Sequence, residues 1–338
     1  MKVYMETLGC PKNFNDTQVA QGIMKDAGLI LTEDILESDV MILNTCGFIN
    51  DAKKESIERI FELAQFKDEN RKLVVSGCLS QRYASDLTEE MPEADCFIGV
   101  NEYERLPEIL FDMVKDSADA RDADRNQVKT CPGNTVRLLS RNLPENPYTA
   151  TLKIAEGCDN RCAYCVIPDI RGHFRSKSRE DILKEAKLLA EKGTKELILI
   201  AQDVTLYGTD LYGRQTLPEL LRDLCRIDGI SWIRLMYCYE DRITDELIEV
   251  MASEEKICNY IDIPIQHASD KVLKNMRRRS TERSIRETIE RLKAAIPDIH
   301  IRTTLITGFP GETEEDFDKL LEFVGQMQFC LLYTSRCV

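Results

Sequence analysis

Three cysteines stand close together in Gly157-Cys158-Asp159-Asn160-Arg161-Cys162-Ala163-Tyr164-Cys165, a C-x3-C-x2-C spacing just after the apolar run Ala150 to Ala155. Structural zinc takes four ligands, usually as two separated pairs, and an odd trio does not supply them. Thiolates also hold iron–sulfur clusters, and a [4Fe–4S] cubane carries four irons. Three thiolates leave one iron open, free to bind and reduce another molecule. Buried structural cysteines usually occur singly. Three within eight residues, among Gly, Asp, Asn and Arg, point instead to a cluster.

Three further cysteines share a position rather than a spacing. Cys10 follows a strand predicted over residues 2–8, Cys46 follows one over 39–43, and Cys78 follows one over 73–75. Helices are predicted over 16–27, 52–66 and 81–90, and a fourth strand over 96–100. Such alternation implies an open parallel sheet with helices on both faces. Ligands bind such sheets at the carboxyl ends of the strands, where all three cysteines fall. Gly9, Gly47 and Gly77 beside them leave room for backbone to approach a bulky inorganic group. A second cubane on Cys10, Cys46 and Cys78 is the expectation, again with one open iron; three unrelated buried cysteines are the alternative.

The first trio needs elements of its own. A strand over 149–155 delivers it, and strand–helix units then repeat. Helices are predicted over 178–192, 217–226, 244–252 and 280–295, and strands over 196–201, 232–236, 260–264 and 299–306. Ile285, Ile289 and Leu292 share one helix face, and Thr313 with Asp316 forms a capping box that opens another helix. This describes a partial (β/α) barrel whose strand ends face a catalytic mouth. The polar residues there are Gln202, Asp203, Gln266 and Arg302, each either a cofactor contact or a hydrogen-bonding residue of the barrel. Gly308 and Gly311 either admit a ligand or make a turn, and His267 is either a general base or a hydrogen-bonded structural histidine. Arg277-Arg278-Arg279 reads as a solvated face, with contact to an RNA or a cofactor carboxylate as the alternative. Residues 115–147 are charged and punctuated by Pro and Gly, and read as a linker between domains at 1–114 and 148–329. Cys131 within it has no partner at a ligand spacing.

The chain has 338 residues, 43% apolar and 31% charged, which places it among soluble globular proteins of two domains. No apolar run reaches the length of a membrane span and the amino terminus leads directly into a strand, so a cytoplasmic protein with no membrane partner is expected. Thirteen cysteines in a reducing compartment argue for metal or redox chemistry before disulfides. A formal net charge of −14 speaks against gripping phosphates and suits a basic partner.

Two cysteine trios in this order resemble the radical S-adenosylmethionine (radical SAM) methylthiotransferases over residues 1–329. The resemblance implies an auxiliary [4Fe–4S] cluster on Cys10, Cys46 and Cys78 and a radical-generating [4Fe–4S] cluster on Cys158, Cys162 and Cys165. It implies S-adenosylmethionine (SAM) as cofactor, cleaved at the open iron to a 5′-deoxyadenosyl radical. Gly9-Cys10-Pro11-Lys12-Asn13, the stretch Ile167 to Ser176, Gln202 to Gly208 and Asp262 to His267 are similar to the branch that modifies an aspartate of ribosomal protein uS12. The implied partners are that protein, an electron donor such as flavodoxin or ferredoxin, and a sulfur donor. A tRNA adenosine is the alternative substrate. The family adds a last barrel strand and a small β-barrel (TRAM) domain, and both are expected to be missing here. Cys330-Leu331-Leu332-Tyr333-Thr334-Ser335 resembles translated sequencing adaptor, so residues 330–338 are expected to lie outside the fold.

Overall fold

The computed structural model describes residues 1–115, 141–144 and 147–336. Contacts divide the chain into one unit of Met1–Pro144 with Val166–Gly172 and a second of Glu145–Cys165 with His173–Val338.

The first unit runs β1 (Lys2–Thr7), α1 (Pro11–Asp26), β2 (Ile30–Thr32), β3 (Val40–Thr45), α2 (Asn50–Ala64), β4 (Lys72–Gly77), α3 (Cys78–Glu90), β5 (Cys96–Ile98) and α4 (Leu106–Lys115). The strands form one parallel sheet in the order β2-β1-β3-β4-β5. β3 is buried on both faces, which is why it reads as a continuous apolar run. Its Val40 and Ile42 pack with Ala20 and Met24 of α1 and Leu106 and Leu110 of α4. Met41 and Leu43, pointing the other way by the two-residue period of a strand, pack with Ile60 and Leu63 of α2 and with Leu79 and Leu87 of α3.

The edge strand β2, Ile30–Thr32, is too short to be legible in the sequence. α1 starts at Pro11 rather than near residue 16, because proline is pre-organised for the first helical position and needs no amide partner there. α3 likewise starts at Cys78 itself. Of the predicted linker, residues 116–140 (with Cys131) and 145–146 lie outside the described residues. Its residues 141–142 are docked: Arg141 Nη2 donates to Gln18 Oε1 at 2.5 Å and the Asn142 amide to Gln18 O at 2.9 Å, both on α1.

The second unit begins with β6 (Thr149–Lys153) and β7 (Ala155–Glu156). The chain then passes through the cysteine loop into α5 (Ile167–Arg171), which clusters with the first unit. It continues through β8 (Arg175–Ser176), α6 (Arg179–Glu191), β9 (Glu196–Ile200), α7 (Thr209–Tyr212), α8 (Leu217–Cys225), β10 (Trp232–Leu235), α9 (Asp245–Ser253) and β11 (Ile257–Asp262). It ends with α10 (Asp270–Asn275), α11 (Glu282–Ala295), β12 (His300–Thr307), α12 (Glu314–Met327) and β13 (Leu331–Arg336). Six strands form a parallel sheet in the order β6-β9-β10-β11-β12-β13, and β7 pairs antiparallel with β8. Ile285, Ile289 and Leu292 are fully buried on α11, and the Thr313–Asp316 capping box opens α12 as predicted.

The expected loss of the last strand is corrected. β13 pairs with β12 from Arg302↔Leu331 to Thr307↔Arg336, so the tail supplies the sixth strand. The unpaired edge of β12 is a template for any extended segment that follows α12, and Leu331, Leu332 and Tyr333 favour extended backbone. These three side chains remain exposed, so the strand is held by its backbone ladder rather than by apolar burial.

Candidate functional site

In the first unit, topology does what the sequence pattern implied. β1, β3 and β4 are neighbours, and Thr45 of β3 is paired with Gly77 of β4, so the next residues, Cys46 and Cys78, leave the sheet side by side. Thr7 of β1 is paired with Asn44, which brings Cys10 to the same end. Cys10 caps α1 and Cys78 is the first residue of α3, so two of the three thiols sit at the positive ends of helices. Burial pushes the Cys46 and Cys78 thiols up, and Cys10 raises both further, as thiols that share one site must.

The glycines here make room for protein. A Cβ on Gly9 would meet Cys46 Cβ at 2.7 Å, one on Gly47 would meet Leu79 Cα at 2.8 Å, and one on Gly77 would meet Asn44 Oδ1 at 2.3 Å. Their neighbours are the adjoining strand ends, so the absent side chains let the three cysteine-bearing turns close on one another. Asn13 ties those turns together, donating to Leu8 O and Thr45 O, both at 3.0 Å. Arg171 completes the group with an ion pair to Asp16 at 2.8 Å, a hydrogen bond to Asn13 Oδ1 at 2.9 Å and an N–H group 3.6 Å from Cys78 Sγ.

In the second unit, Cys158 and Cys162 are buried and Cys165 is partly exposed. Their loop is pinned from three sides. Asn160 donates to Asp203 Oδ2 at 3.5 Å and accepts from Arg242 Nη2 at 2.9 Å, while Arg242 forms an ion pair with Asp203. Asp159 accepts from the Phe174 amide and pairs with His173 Nδ1. The Ala163 amide donates to Met276 O at 3.0 Å. Tyr239 OH lies 3.9 Å from Cys162 Sγ, with Arg278 stacked on its ring at 4.3 Å. A cavity of about 310 Å³ reaches Cys162, so that thiol is not sealed off. Burial pushes the Cys158 thiol up, partly offset by the Asn160 amide.

Among the described residues, no three His, Cys, Asp or Glu side chains close around a position for a single metal ion. Two all-thiol trios, each lacking a fourth protein ligand, fit a cluster several ångström across better than one ion.

The remaining sequence-picked residues differ in what is left free. Gln202 donates to Glu156 Oε1 at 2.8 Å, and its Oε1 is buried without a partner. Asp203 is fully committed within the protein, accepting from the Thr205 amide at 3.0 Å and pairing with Arg242. Gln266 takes a left-handed backbone, φ +70°, and bridges to β12 through its own amide and carbonyl. Arg302 lies 3.8 Å from Asp262 on β11, partly exposed. Gly308 has φ +72° where β12 ends, and Gly311 has φ +87° with only ordinary contacts around it, so Gly311 makes a turn.

His267 is packed as a structural histidine, although its buried Nε2 has no hydrogen-bond partner. It is fully buried, its Nδ1 accepts from the Ser269 amide at 2.9 Å and its Nε2 faces Glu312 at 3.4 Å. The reading of Arg277–Arg279 as a solvated face fails at Arg278, which is buried against Glu240 at 2.8 Å and keeps one buried group, Nη1, without a partner. A fully buried carboxylate demands a cation, and no sequence pattern announces that Glu240 is buried. Sequence reasoning also missed Asn13, Asp16, Arg171 and Tyr239. The one available signal was Asn13 and Asp16 three residues apart on the helix capped by Cys10.

Residues 152–324 match the radical SAM superfamily, and residues 2–99 match uncharacterized protein family UPF0004. A curated protein of Lachnoclostridium phytofermentans, ribosomal protein uS12 methylthiotransferase RimO, is 50% identical over 334 residues, covering 97% of this chain and 74% of that one. The proteins of that name from Acetivibrio thermocellus and Geobacter sulfurreducens are 49% and 50% identical, each covering 97% of this chain and 73% of theirs. Among solved structures, the radical SAM methyltransferase TsrM of Kitasatospora setae aligns with TM-score 0.72 over 99% of this chain and 72% of its own, at 14% identity, a likeness of fold alone. The parallel sheet that delivers the C-x3-C-x2-C loop is thus a radical SAM domain, which brings with it a [4Fe–4S] cluster and SAM. With its amino-terminal partner domain, the chain belongs to the RimO family of radical SAM methylthiotransferases. Among the described residues no helix is long and apolar enough to cross a membrane.

Proposed function

We propose that this chain adds a methylthio group to the β-carbon of an aspartate in ribosomal protein uS12, using two clusters held by separate cysteine trios. The observation that carries the reading is near-half identity along 97% of the chain to proteins of that name, with both trios complete. When bound, a [4Fe–4S] cluster on Cys158, Cys162 and Cys165 supplies the electron that cleaves SAM, and one on Cys10, Cys46 and Cys78 supplies the sulfur to be transferred.

The residues around the trios have supporting tasks. Asn160, Asp203 and Arg242 fix the first turn of the second-unit loop, and Tyr239 with Arg278 backs Cys162. Gln202 Oε1 and Arg278 Nη1 are buried polar atoms with no protein partner, an acceptor and a donor suited to a polar cofactor. In this reading Gln202, Gln266 and Arg302 offer polar contacts to SAM, Gly308 lets it approach the backbone, and Asp203 orients the cysteine loop from behind. A basic substrate suits a net charge of −14. An electron donor such as flavodoxin or ferredoxin, a sulfur donor and a cytoplasmic setting complete it.

The test offers the anaerobically reconstituted chain uS12 and an anticodon-stem RNA side by side, with SAM, sulfide and a reductant. A methylthio mass gain on the uS12 aspartate is the expected result. Gain on adenosine overturns the substrate, and 5′-deoxyadenosine with neither product leaves only the radical SAM chemistry.

A further inference from the structure

Arg171 has no task in the reading above. It ends α5, in the segment Val166–Gly172 that enters the first unit directly after Cys165. Its side chain is 2% exposed. Nη1 donates to Asp16 Oδ2 at 2.8 Å, Nη2 donates to Asn13 Oδ1 at 2.9 Å, and the same Nη2 lies 3.6 Å from Cys78 Sγ. Asn13 in turn donates to the carbonyl of Leu8, two residues before Cys10, and to that of Thr45, the residue before Cys46. One guanidinium therefore touches one cysteine sulfur directly and reaches the other two turns through a single side chain. Ile170 beside it packs on Cys78 and Val100, which holds α5 in place.

A buried guanidinium must satisfy five N–H donors, and the ion pair with Asp16 uses only part of them. This one uses its planar fork for a carboxylate, an amide and a sulfur at once. A group held by three thiolates in a buried site is anionic, and a buried anion needs a cation or hydrogen-bond donors nearby. For an iron–sulfur cluster, positive charge and hydrogen bonds to sulfur favour the reduced, more negative form and so raise the reduction potential.

The geometry points to Arg171 as the positioning residue of the Cys10–Cys46–Cys78 site: it fixes Cys78 and raises the reduction potential of the cluster bound there. The inference rests on the auxiliary cluster proposed above.

The test uses the full chain with Cys158, Cys162 and Cys165 all changed to Ala, so that only the auxiliary site loads iron. Two variants are compared with this parent by iron and sulfide content, by the electron paramagnetic resonance (EPR) spectrum of the reduced cluster and by redox titration. Arg171→Lys keeps the charge and loses the fork. Arg171→Met with Asp16→Asn removes the whole ion pair, leaving the local net charge unchanged but taking the N–H donor away from Cys78 Sγ, without leaving Asp16 buried and unpaired. The expected result is a shift to more negative potential with an altered EPR line shape, smaller for Lys and larger for the double variant. Loss of iron from a variant that keeps its circular dichroism also supports the positioning role. A folded variant with a full cluster at the parent's potential and line shape overturns it. If the double variant does not fold, Arg171→Lys alone decides by the same criteria. A parent that loads no iron overturns the auxiliary-cluster reading, and this inference with it.

Discussion

The two cysteine trios carry the same donor set but depend on the fold to different degrees. Cys158, Cys162 and Cys165 are neighbours in the chain, and the second unit has only to pin one loop, through Asn160, Asp159 and the Ala163 amide. Cys10, Cys46 and Cys78 lie more than thirty residues apart and meet because β1, β3 and β4 are adjacent and in register. A local trio survives small displacements of the sheet that carries it. A trio assembled by topology reports on that sheet: what shifts a strand end by a fraction of an ångström moves a ligand. Damage to the first unit is therefore expected to remove the cluster proposed there before the chain unfolds, whereas the second-unit cluster follows its own cysteines.

The largest effect that separates the two trios is chemical. Cys162→Ala is expected to bring 5′-deoxyadenosine release to background while the iron held by the first unit remains, measured by product chromatography and iron content on the same sample. Next comes the buried pair that backs the local trio. Glu240→Ala leaves Arg278 charged and without a carboxylate in the interior, a change expected to cost about 3–5 kcal/mol in anaerobic denaturant melts. Burial pushes the Glu240 carboxyl up and Arg278 pulls it back.

Gly77→Ala attacks the other trio. The backbone there has φ +99° and the new methyl would sit 2.3 Å from Asn44 Oδ1, so a loss of at least about 1–3 kcal/mol is expected. Its sharper signature is selective: the cluster proposed for the first unit is lost while SAM cleavage by the second persists. Equal loss of both clusters would break the comparison.

The smallest effect is a pH dependence in the second unit. Burial holds His267 below its usual value of 6.5, against the opposing pull of Glu312 and Asp316. Its Nδ1 is an acceptor for the Ser269 amide, a role the protonated ring cannot fill. The unfolded chain then binds more protons than the folded one below that value, so this part of the stability is complete above pH 6.5 and is lost as the pH falls through the lowered pKa. Melts of His267→Gln are expected to show a shallower decline with acid than the parent.

How much of this was legible in the sequence follows the same division. The local trio needed only a spacing, and the capping box at Thr313–Asp316 only a four-residue pattern, so both could be read directly. The distributed trio could be inferred because a cysteine with a glycine beside it followed a predicted strand three times. What could not be read was anything that requires knowing which polar groups are buried together. Arg171 and Arg278 look like surface cations in a charged stretch, and only the fold sets one against Asp16 and the other against Glu240. Backbone-driven features were hidden for a different reason: β13 is paired along its length although Leu331, Leu332 and Tyr333 are exposed, so no buried apolar face marks it.

The central claim is that the two trios do different work, and one variant tests it most directly. Cys10, Cys46 and Cys78 are replaced together by Ala, and the protein is given SAM, reductant, sulfide and uS12. The account predicts continued 5′-deoxyadenosine release with no methylthio mass gain on uS12. Methylthiolated uS12 from that variant would contradict it.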